Sequence, residues 1–88
     1  MTSPEALIAA IFHHVRETGT PLPKMSAGAD KWMRGDTFVT LADDGATMVI
    51  DDGRVRAYYP DSQPAVIQKG AFEDLVACAA RSGLPTEV

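Results

Sequence analysis

The apolar positions of this chain change period along its length, and the changes divide it into elements. Leu7, Ile8, Ile11, Phe12 and Val15 recur at helical spacing and form one apolar stripe. Just before them, "SPE" at 3–5 offers a capping hydroxyl, a proline for the first turn and an acid for the positive end of the helix. "TGTPLP" then stops the run, with Gly19 as the C-terminal cap. The pattern predicts a helix over about 4–18.

From residue 37 the period becomes two. Three runs rich in strand-forming residues follow, at 37–42, 46–51 and 54–59. Asp52-Gly53 and Asp44-Gly45 are two-residue hairpin signals, and they fix a register. Around the second turn, Ile50 faces Val55, Val49 faces Arg56, Met48 faces Ala57 and Thr47 faces Tyr58. Around the first, Ala42 is expected opposite Thr47, Leu41 opposite Met48 and Phe38 opposite Asp51. Opposed residues share a face. One side therefore collects Val39, Leu41, Met48, Ile50, Val55, Ala57 and Tyr59, and is a core. The other collects Phe38, Thr40, Ala42, Thr47, Val49, Asp51, Arg54, Arg56 and Tyr58.

The remaining stretches are less regular. Residues 19–36 have no clean periodicity; Ser26 is placed to cap a short helix over about 26–34, with Trp32 and Met33 turned inward. "PDSQP" at 60–64 breaks the sheet. A second amphipathic helix is expected over about 68–82, burying Phe72, Leu75, Val76 and Ala79, with Glu73 and Asp74 in its first turns. Gly83, Leu84 and Pro85 stop it, and residues 85–88 fray. The predicted fold is a single α+β domain over 1–88. It is a two-layer sandwich of order α-β-β-β-α, with a three-stranded antiparallel meander and both helices on one face. Such a pattern assigns no function by itself.

Composition narrows the classes of job. At 88 residues and 45% hydrophobic content, the core is thin and a deep walled active site is hard to build. The net charge of −4 argues against nucleic-acid phosphate as the main partner and leaves a basic protein surface open, since an acidic face steers towards one. Cys78 is the only cysteine, which excludes an intrachain disulfide and fits a reducing compartment. The start "MTSPEALIAAIFHHVRE" lacks the basic region of a signal peptide, and no run approaches the ~20 apolar residues of a membrane span. The expectation is a cytoplasmic protein with no membrane partner.

Candidate chemistry is sparse. The triplet Asp-Asp-Gly occurs at 43–45 and again at 51–53. In a meander successive turns lie at opposite ends, so the four carboxylates cannot converge on one ion. Asp43, Asp44 and Asp61 form one acidic rim; Asp36, Asp51 and Asp52 form the other. Turn chemistry explains them, and neither a metal nor a cofactor is expected. His13 and His14 are adjacent on a helix and point about 100° apart, which excludes chelation as an i, i+4 pair. Cys78 lies at the stripe border of the second helix and reads as half-buried and structural. "RGD" at 34–36 is a chance match to an adhesion tripeptide, and "SAGADK" lacks the spacing of a phosphate loop.

The second sheet face carries the functional expectation. Phe38, Val49 and Tyr58 lie there beside Arg54 and Arg56, with Trp32 as an added candidate, and such mixtures form interface centres. The expected function is non-catalytic protein binding, as a small acidic regulator or inhibitor of a larger, basic, nucleic-acid-handling machine. Compact acidic inhibitors of phages and mobile elements, anti-CRISPR proteins among them, share the size and charge; no motif supports the analogy. The alternative is single-stranded nucleic-acid binding, with Phe38 and Tyr58 stacking on bases and Arg54 and Arg56 on phosphates. The chain is expected to be a monomer, or a homodimer joined through the same face.

Overall fold

The computed structural model describes residues 3–23, 30–42, 45–60 and 65–88. In chain order the elements are α1 (Pro4–Thr18), β1 (Thr20–Leu22), β2 (Asp30–Arg34), β3 (Thr37–Ala42), β4 (Gly45–Ile50), β5 (Val55–Pro60), β6 (Val66–Lys69) and α2 (Phe72–Arg81). The class is α+β, as the pattern implies, but the sheet has six strands in the order β1-β2-β3-β4-β5-β6. Every neighbouring pair is antiparallel.

Helix α1 runs over the residues its signals mark. Ser3 Oγ accepts the Ala6 N–H at 3.2 Å, and the Gly19 N–H closes on the Val15 carbonyl at 2.7 Å. Its buried stripe is Leu7, Ile8, Ile11 and Val15, with Phe12 packed against the same core. Helix α2 is shorter than expected and contributes Leu75, Cys78 and Ala79, with Phe72 and Val76 at the core's margin. Residues 68 and 69, expected in this helix, belong instead to β6. At the other end Leu84 folds back, its N–H reaching the Ala79 carbonyl at 2.9 Å and its side chain buried.

The three additional strands come from stretches without alternation. The helix expected over 26–34 is not formed at 30–34, which is strand β2; its residues 26–29 lie outside the described residues. The first meander turn is also corrected. Phe38 pairs with Val49, Leu41 with Ala46 and Ala42 with Gly45, two residues away from the expected register. A shift of two preserves every face, so the core assignment survives. Asp43, Asp44 and Asp61, the residues of the first expected acidic rim, lie outside the described residues.

The second turn has the predicted pairing of Ile50 with Val55 and Thr47 with Tyr58. The Arg54 N–H reaches the Asp51 carbonyl at 3.2 Å across Asp52-Gly53, and φ is +54° and +92° at those two residues. Positive φ at both central positions is what a tight hairpin of this hand requires. Asp51 itself also has φ of +57°.

Both helices cover the same face of the sheet. Val39, Met48, Ile50, Val55 and Ala57 meet the apolar residues of α1 and α2 in one buried cluster. Each fully buried aliphatic side chain contributes roughly 1.5–3 kcal/mol by leaving water. No helix is long and apolar enough to cross a membrane among the described residues.

Candidate functional site: the open face of the sheet

On the face opposite both helices, the strand register sorts the side chains into two rows running across all six strands. One row reads Thr20, Met33, Phe38, Val49, Arg56, Lys69. The next reads Leu22, Lys31, Thr40, Thr47, Tyr58, Val66. Phe38 is 45% exposed and Val66 54%, large values for side chains of their size. Around Phe38 the surface dips into a hollow of about 190 Å³ lined by Asp36, Phe38, Val49, Asp52, Gly53 and Arg56.

Of the expected interface residues, Phe38, Val49, Arg56 and Tyr58 lie together on this face. Trp32 does not. It pairs with Val39, faces the helices and packs against the core, with the Arg16 guanidinium 5.2 Å from its ring centre. Arg54 sits in the turn, outside the strands, with its side chain exposed. The sequence pattern missed Lys31, Met33 and Lys69, which join the face through the unforeseen strands β2 and β6. Segment 30–34 therefore extends the sheet and does not fold across its open side.

Asp51 departs furthest from expectation. Its positive φ takes it out of the strand alternation and turns its carboxylate to the helix side. There Oδ2 accepts from Arg81 Nη2 at 2.6 Å and from the Cys78 thiol at 3.5 Å. The Arg81 hydrogen bond holds the Asp51 carboxyl below its ordinary range, and the same contact raises Arg81. Burial, followed by the hydrogen bond to the Asp51 carboxylate, pushes the Cys78 thiol up. Cys78 is fully buried, not half-buried. These three side chains tie the β4–β5 turn to the last turn of α2. Only Asp36 and Asp52 of the expected acidic rim remain beside the open face, both exposed.

The histidines are separate. His13 Nε2 lies 3.0 Å from Glu17 Oε1 on the exposed side of α1, and His14 is half-buried. Among the described residues, no group of three or more His, Cys, Asp or Glu side chains could hold a metal ion. Compared with known proteins, the chain matches no family model, no curated protein sequence and no solved structure.

Proposed function

We propose that this chain is a non-catalytic protein-binding module that docks its partner across the open sheet face. In this reading it is a small cytoplasmic regulator or inhibitor of a larger protein. The observation that carries the reading is Phe38, a phenyl ring 45% exposed on the third strand of six, on the face opposite both helices. Covering the exposed 45% of this ring is worth roughly 1 kcal/mol, about half of what full burial of such a side chain gives, and a partner that fills the adjoining hollow supplies the cover. Aromatic residues, methionine and arginine are enriched where interfaces exclude water, and Met33, Phe38, Arg56 and Tyr58 bring all three together.

Charge refines the partner. The whole chain carries −4, but Lys31, Arg56 and Lys69 place cations on this face. Arg56 and Lys69 stand directly opposite one another, an unfavourable like-charge pair that a carboxylate between them would relieve. The partner surface that fits best has an apolar side chain for the Phe38 hollow and an acidic residue beside it. A basic partner, the expectation from net charge, has Asp36 and Asp52 to approach.

The cations also favour a second reading, single-stranded nucleic-acid binding. Six strands give Phe38 and Tyr58 a broad platform, with Lys31, Arg56 and Lys69 for phosphates. The two readings separate in a pull-down from native lysate with nuclease added. Wild type is run beside a Phe38→Ala, Arg56→Ala, Tyr58→Ala variant whose circular dichroism matches it. A protein retained by wild type through nuclease and lost by the variant supports protein docking. A partner lost to nuclease, with binding that falls steeply with salt, supports nucleic acid. Dimers of wild type that the variant does not form would assign the face to self-association.

A further inference from the structure

A second surface lies on the other side of the sheet and is independent of the open-face reading. Where α1 crosses the row Leu41, Ala46, Tyr59 on β3, β4 and β5, the helix does not seal against the sheet. A groove of about 440 Å³ remains, lined by Phe12, Leu41, Ala46 and Tyr59, with Ala9 along the helix and His13 and Arg16 at its edge. That size lies within the ~300–1,000 Å³ of small-molecule sites, which are mostly apolar with a few placed polar groups.

Arg16 is the placed polar group. Its guanidinium lies 5.4 Å from the Phe12 ring centre and 5.2 Å from that of Trp32. Contact with two aromatic rings places the guanidinium at the edge of the groove, and a guanidinium is the side chain whose fork matches a carboxylate bidentately. Neither of the ion pairs found between described residues, His13–Glu17 and Arg81–Asp51, engages Arg16. Glu17, beside Arg16 on the Trp32 side, is held by His13 at 3.0 Å. Asp30 heads the same sheet row as Leu41 but does not line the groove and has an interaction of its own.

We propose that the groove between α1 and the sheet binds a small apolar carboxylate, its hydrocarbon body against Phe12, Leu41 and Tyr59 and its carboxylate on the Arg16 guanidinium. Charge complementarity selects the occupant. An apolar slot with a cation fixed at its edge favours an amphiphile with an anionic head over a neutral or cationic one of equal length.

The probe is dodecanoate below its micelle concentration, titrated into the full chain by calorimetry. Fluorescence of Trp32, the chain's only tryptophan, provides a second signal. Dodecanol and dodecylamine are the neutral and cationic controls. The expected result is saturable one-to-one binding of dodecanoate, weaker binding of dodecanol and none of dodecylamine. Arg16→Gln should weaken dodecanoate by about tenfold to a hundredfold, the size of a charged hydrogen-bonded contact. Ala9→Phe, which fills the slot without changing charge, should abolish binding by a variant that melts like wild type. Absence of saturable binding overturns the proposal. So do equal affinities for dodecanoate and dodecanol unaffected by Arg16→Gln, which mark only an apolar crevice. Self-association removed by Ala9→Phe would give the groove to a second copy and also overturn it.

Discussion

Asp51 shows how one backbone angle reassigns a side chain. Strict alternation from Ile50 puts it on the open face, but φ of +57° rotates it towards α2, where it meets Arg81 at 2.6 Å. Asp tolerates this conformation better than most residues, which is why the position can serve both the turn and the helix. Because Arg81 lowers the Asp51 carboxyl below the ordinary 3.8, the folded chain gains stability from this pair above that pH. The gain is lost as pH falls through the folded-state value. Urea unfolding of wild type should therefore weaken more steeply than that of Asp51→Asn on acidification below about pH 4, since asparagine keeps the turn but cannot titrate. Cys78 has the opposite sense. Its raised pKa means that stability declines as pH rises through 9.0, where half of the unfolded chain's thiol is ionised. At neutral pH a maleimide should label Cys78 only through opening of the fold, many times slower than a free thiol. Fast labelling of the folded chain would contradict its burial.

At the scale of elements, what was legible follows from how completely each element is covered. Helix α1 and strands β3 to β5 have one dry and one wet side, so their periods show in the sequence. Strand β2 does not: all five of its residues are half-buried, and Lys31 and Arg34 interrupt any apolar alternation. Arg34 is on the helix side because Nη1 donates to the Ser82 carbonyl at 2.8 Å and the Gly83 carbonyl at 3.3 Å, capping the end of α2. No local pattern could announce a contact 48 residues away. Strand β6 was hidden for a different reason, since Ile67 alone faces inward and the stretch merges with helix-start signals. The two edges explain themselves by chemistry: Pro21 in β1 and Lys69 in β6, where the β5–β6 pairing slips at Arg56/Ala57, discourage further strand addition. The corrected β3–β4 turn yields a sharp test at Gly45. Its φ is +140°, and a Cβ there would lie 2.7 Å from both the Pro60 Cα and the Tyr59 carbonyl oxygen. Gly45→Ala should lose more than about 1 kcal/mol in chemical denaturation, since alanine fits neither the angle nor the space. Gly53→Asn, with nothing within 4 Å of the added carbon, should lose less.

For the whole molecule the governing fact is asymmetry. Both helices and the buried cluster lie on one side of a six-stranded sheet, and Phe38 with its neighbours lies on the other. The open side was legible as a face, because a register error of two residues cannot move a side chain across the sheet. Its extent was not, because three of its strands were unseen, and with β2 and β6 the lysines Lys31 and Lys69 that join Arg56 and alter the expected partner. Ile11→Ala on the covered side should cost about 2–5 kcal/mol of stability, while Phe38→Ala should cost little and act on binding instead. The most direct measurement places a photo-crosslinking amino acid at Thr47, in the middle of the open face, and separately at Ala77, exposed on α2. Irradiated in nuclease-treated lysate, the Thr47 form should give a discrete protein adduct that Phe38→Ala suppresses, and the Ala77 form none. An adduct from Ala77 alone, or equal adducts from both positions, would contradict docking on the open face.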